Sequence, residues 1–170
     1  MGYREDRAWS DGYLPRVREI VGPHLLVPAP LERDQSEATD LIVMRARDMT
    51  IGVRLRKPGY AGRFPGEFTI RSSRDSGAKT ELAKIVDGWG DWLFYGHTDA
   101  SNGIPEWVIV DLHALRAAFI RRPDILHRPD NRTSGKRSNG DGTAFMFFRV
   151  NGLPADVLIA QQNYHHSLPA

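Results

Sequence analysis

The chain has 170 residues, a net charge of +2 and a charged fraction of 26%, which suits one ordinary folded core and excludes wholesale disorder. Cysteine is absent, so disulfide frameworks, thiolate metal sites and cysteine nucleophiles are excluded, and a bound metal must use oxygen or imidazole ligands. The charged opening MGYREDRAWSDG does not read as a signal peptide, and no run approaches the roughly 20 apolar residues of a membrane span, so a cytoplasmic protein without membrane contact is expected.

Lysine stands only at positions 57, 79, 84 and 136 among 23 basic residues, the rest being arginine. The planar guanidinium fork suits phosphate recognition, although a GC-rich coding sequence would give the same bias.

In chain order, residues 11–22 have helical spacing, with Asp11 as N-cap, Leu14, Val17 and Val21 on one face and Gly22-Pro23 as the stop. His24–Pro30 is proline-punctuated and suits an edge strand. Residues 31–38 are polar and read as a loop. Three strands are then expected, at 40–46, 50–56 and 67–72. Ile51, Val53 and Leu55 alternate with Gly52, Arg54 and Arg56, the period of a half-buried strand. Phe68 and Ile70 alternate in the same way with Glu67, Thr69 and Arg71. The linking KPGYAGRFPG is dense in Gly and Pro, as expected between antiparallel neighbours of a meander.

Leu82, Ile85, Val86 and Trp89 then fall at helical spacing, with Trp89 expected in the core. DWLFYGH and EWVIVDL read as further strands, the second buried on both faces. A helix is expected over 113–122, with Leu115 and Phe119 inward and Asp111 or His113 at its start. Residues 128–142, RPDNRTSGKRSNGDG, are polar and read as a long mobile loop. A last strand over 143–150 and an apolar segment at 157–159 complete the chain. The fold class expected is α/β (α+β): one domain with a central mixed, largely antiparallel sheet of five or six strands flanked by helices.

The succession helix, meander, helix, strand, with Asp40 opening DLIVM and Glu67 opening EFTIR, resembles the PD-(D/E)XK nuclease superfamily over residues 11–112. The run TDLIV, IGVRLR, EFTIRS, TELAKI and GWGDWLFYG also resembles uncharacterised phage and prophage proteins. The superfamily resemblance implies a restriction-endonuclease-like core. In it, Asp40 and Glu67 would hold Mg²⁺ or Mn²⁺, and a Lys beside the metal would stabilise the attacking water and the charge developing on phosphorus. Thr69 stands where the family has its Lys, so Lys79 or Lys84 from the following helix would supply it, with Glu81 as an added carboxylate. In a second alignment IGVRLR is the motif strand, Arg54 and Arg56 replace acid and Lys, and cleavage is lost.

Two functions follow from the resemblance: a metal-dependent phosphodiesterase acting on DNA or RNA, or an inactive nuclease-like module that binds nucleic acid or a protein. In both, Arg54, Arg56, Arg71 and Arg74 are the nucleic-acid-binding candidates, joined in the binding reading by the Arg-rich loop 128–142, and a homodimer is allowed. Arg54, Arg56 and Arg71 are expected on the same face as Glu67. Plainer roles stand beside these: Glu67 paired across the sheet with Arg54 or Arg56, and Lys79 and Lys84 on a solvated helix face. The pair His165-His166 lacks a zinc spacing, and no GxxxxGK[ST], GxGxxG or GxSxG occurs.

Overall fold

A computed structural model describes residues 3–28, 41–43 and 49–164. The chain divides into two compact units, Met1–Met49 and Thr50–Ala170. Asp40 and the pair His165-His166 lie outside the described residues.

The first unit holds helices Tyr3–Asp11 and Leu14–Val21 and a short antiparallel pair, β1 (Leu26–Pro28) with β2 (Leu41–Val43). Asp11 does not cap the second helix. It closes the first, 3.6 Å from Arg7 one turn earlier, and Tyr13 occupies the cap position with no side-chain hydrogen bond. The N-terminal residues form a helix of their own because Glu5 and Asp6 in its first turn complement the helix dipole.

The second unit contains two sheets. A four-stranded sheet has the order β3 (Ile51–Arg56), β5 (Trp92–His97), β6 (Glu106–Asp111), β9 (Leu158–Gln162). Its first pair is parallel and the other two are antiparallel. A three-stranded antiparallel sheet has the order β4 (Glu67–Ser73), β8 (Ala144–Arg149), β7 (Ser134–Ser138). The class is therefore mixed α/β and mostly antiparallel, in two sheets rather than a single one of five or six strands.

The meander expected from β3 into β4 does not form. KPGYAGRFPG carries a helical turn, Tyr60–Arg63, between two left-handed glycines, Gly59 (φ 91°) and Gly66 (φ 64°), and this link delivers β4 to the other sheet. Period two says which residues share a face, not which strand lies alongside.

Residues 128–142 contain a strand rather than a loop throughout. β7 is held by its ladder to β8, which needs backbone groups and not apolar side chains. Gly135 permits the close approach, since a Cβ there would overlap the Phe147 ring.

Helix Glu81–Val86 starts on Thr80, whose hydroxyl accepts from the Ala83 N–H. It ends before Trp89, because Gly88 turns left-handed (φ 94°). Trp89 is consequently 59% exposed and not part of the core. Helix Leu112–Arg121 begins on Asp111, whose carboxylate accepts from the His113 and Ala114 N–H groups, and it buries Leu115 and Phe119. One hydrophobic core joins the two sheets: Phe68, Ile70 and Phe148 from one, Leu93, Val108 and Val110 from the other, with Leu115 of the helix. No helix among the described residues is long and apolar enough to cross a membrane.

Candidate functional site

The convergent polar groups of the second unit gather around Glu67. Alternation along β4 puts Glu67 and Thr69 on one face while Phe68 and Ile70 enter the core. Glu67 lies opposite Arg149 in the β4–β8 register, and Arg149 Nε donates to its Oε1 over 3.3 Å. Arg137, from β7, grips the same carboxylate with both terminal nitrogens, Nη1 to Oε2 at 2.6 Å and Nη2 to Oε1 at 3.2 Å. The Glu67 side chain is only 5% exposed, so this two-pronged contact offsets the cost of burying its charge. Arg137 is itself fixed between rings, its guanidinium 3.9 Å from the Phe147 centroid and 4.7 Å from that of Phe64.

Beside this cluster Arg56, the last residue of β3, donates from Nε to the Tyr95 hydroxyl at 2.7 Å and from Nη2 to the Thr69 hydroxyl. No carboxylate pairs with Arg56 among the described residues. Glu67, Arg137, Arg56, Thr69 and Tyr95 line one pocket of about 100 Å³. Its remaining wall includes Tyr60, Phe64, Phe145 and His97.

Behind the pocket, Tyr164 gives its hydroxyl proton to the Glu67 carbonyl at 2.7 Å, so the same oxygen accepts from His97 Nε2 at 3.1 Å. That fixes the Nε2–H tautomer and leaves His97 Nδ1 a buried acceptor with no hydrogen-bond partner. Burial, with the nearby Arg56 charge, holds the His97 imidazole down to about 4. Burial likewise pushes the Tyr164 phenol well above its ordinary value.

The sequence candidates among the described residues are not brought together at one centre. Glu81 pairs with Arg54 and accepts the Arg71 backbone N–H at 3.1 Å. Lys79 pairs with the exposed Asp87 and, like Lys84, lies over the Trp89 ring, at 5.5 and 5.7 Å. Arg74 Nε is buried without a hydrogen-bond partner. Of the arginines expected on the Glu67 face, Arg56 lines its pocket, while Arg54 turns to Glu81. Glu67 pairs with neither, its partners coming from β7 and β8.

Asp40 being undescribed, the fit of a divalent cation rests on Glu67, and the arrangement does not suit one. Both its oxygens already accept from guanidinium groups, and two fixed positive charges stand where Mg²⁺ would need to approach. Among the described residues no three His, Cys, Asp or Glu side chains are grouped to hold a metal.

Sequence reasoning passed over Arg137, Arg149, Tyr95, His97 and Tyr164. For the first two a signal was present: Phe145, Phe147 and Arg149 alternate along one face of AFMFFR, and Arg137 stands in the register opposite Phe145. No protein-family model, curated protein or solved structure matches the chain.

Proposed function

We propose that this chain is a nucleic-acid-binding module with a nuclease-like, restriction-endonuclease-related core that does not cleave. The reading takes the alignment in which IGVRLR is the motif strand and Arg54 and Arg56 stand in the places of acid and Lys. The observation that carries it is the charge balance of the Glu67 pocket. Its one acid is neutralised by Arg137 and Arg149, while Arg56 beside it has no carboxylate partner among the described residues. A surplus of guanidinium charge next to aromatic rings attracts a polyanion bearing planar groups, and it repels the cation that hydrolysis would require.

The test is a titration of labelled single- and double-stranded DNA and RNA by fluorescence anisotropy, across a salt series with Mg²⁺ present and the products run on a denaturing gel. Binding that weakens steeply with salt, with every strand left intact, is the expected result. Mg²⁺-dependent cleavage that Glu67→Gln abolishes would restore the metal-nuclease reading. Absence of affinity for any strand would remove both.

A further inference from the structure

We propose that the Glu67 pocket receives one unpaired nucleobase, which makes the module selective for single-stranded over fully paired nucleic acid; this rests on the nucleic-acid reading above. The room is small. A pocket of about 100 Å³ is several times the roughly 10–15 Å³ that admits a single water, which is room for one small planar ring and not for a duplex edge.

The walls are flat and aromatic. Tyr60, Phe64 and Phe145 line it; the Tyr60 ring carries the Arg56 guanidinium at 5.6 Å from its centroid yet the residue is 42% exposed, so it offers aromatic surface for stacking without displacing core. Its polar groups suit a base edge better than a phosphate. Arg56 has committed Nε and one Nη2 hydrogen to Tyr95 and Thr69, and its Nη1 donors can still reach a base carbonyl or ring nitrogen. The Glu67 carboxylate lines the same space and offers an acceptor that a base N–H group can use and that a phosphodiester, having no N–H or O–H, cannot. The arginines take three of its roughly four acceptor positions, which leaves about one for a base N–H group. His97, another wall residue, is held neutral and adds no charge to attract an anion.

Two single strands of equal length and charge separate this from simple charge attraction, one with normal bases and one with abasic sugars throughout. Wild-type protein should bind the base-bearing strand at least about tenfold tighter, as stacking on one ring allows. Tyr60→Leu, at an exposed position that leaves the fold intact by circular dichroism, should remove most of that preference and leave the abasic affinity unchanged. Equal binding of the two strands by wild-type protein, or a preference that survives both Tyr60→Leu and Phe64→Leu, overturns the base pocket while the binding module stands. If neither strand binds, the nucleic-acid reading falls with it.

Discussion

Two ion pairs of the same formal kind, Glu67 with Arg137 and Lys79 with Asp87, sit in opposite surroundings. The Glu67 side chain is 5% exposed, crossed by a second arginine, and joined through its backbone carbonyl to Tyr164 and His97. Lys79 and Asp87 are about half exposed, at 46% and 49%. Residue type in the sequence marks both equally. What separates them is how much water each would recover if its partner were removed, and that is decided by β4, β7 and β8 closing over Glu67.

The largest expected effect is at the buried pair. Glu67→Ala empties a position that is only 5% exposed and leaves Arg137 and Arg149, 32% and 40% exposed, without their carboxylate, and it should destabilise the protein by about 3 kcal/mol in chemical denaturation. A loss below about 1 kcal/mol would show that solvent reaches the cluster and that the contrast with Lys79 is false.

The next test uses acid. His97 is held near 4 in the fold against 6.5 ordinarily, so between those pH values the unfolded chain takes up a proton that the folded chain refuses. Stability attributable to His97 is complete above about pH 6.5 and declines as pH falls towards 4, by up to about 3 kcal/mol. Denaturation midpoints for wild type and His97→Gln, followed from pH 7 to 4, should converge as pH falls. Parallel curves would mean that His97 is hydrated.

At the small end, Lys79→Ala should change stability by no more than about 0.5 kcal/mol, because solvent screens its pair with Asp87. A loss above about 1 kcal/mol would break the comparison from the other side, and would point to the Lys79–Trp89 ring contact as a real brace.

Much of the local structure can be read directly from the residues. Alternation in IGVRLR and EFTIR locates β3 and β4, the unbroken run in EWVIVDL marks β6 as buried on both faces, and of Asp111 and His113, the two residues the sequence offers for the helix start, Asp111 caps it. Glu67 also stands out, because it shares a face with Thr69. Its environment does not. Arg137 and Arg149 lie 70 and 82 residues further along, and no local period reports a partner at that distance. Trp89 illustrates a different failure. Its spacing continues the helical stripe, but a left-handed Gly88 ends the helix first, so one residue with backbone freedom outweighs four at the right interval.

The pairing of β4 with β8 has a consequence for how the chain reaches this structure. β4 is complete at Ser73, yet its only ladder partner among the described residues spans Ala144–Arg149, so that hydrogen-bonding edge must wait while the ribosome adds the intervening chain. Closing so long a loop costs entropy before any contact repays it, whereas β7 and β8 are neighbours in sequence and can zip as a hairpin on their own. Loop-closure entropy therefore favours an order in which the β7–β8 hairpin forms late in synthesis and then captures the waiting β4. A nascent chain arrested before residue 144 would carry Glu67 without either arginine strand beside it, with the exposed edge of β4 open to pairing with other chains.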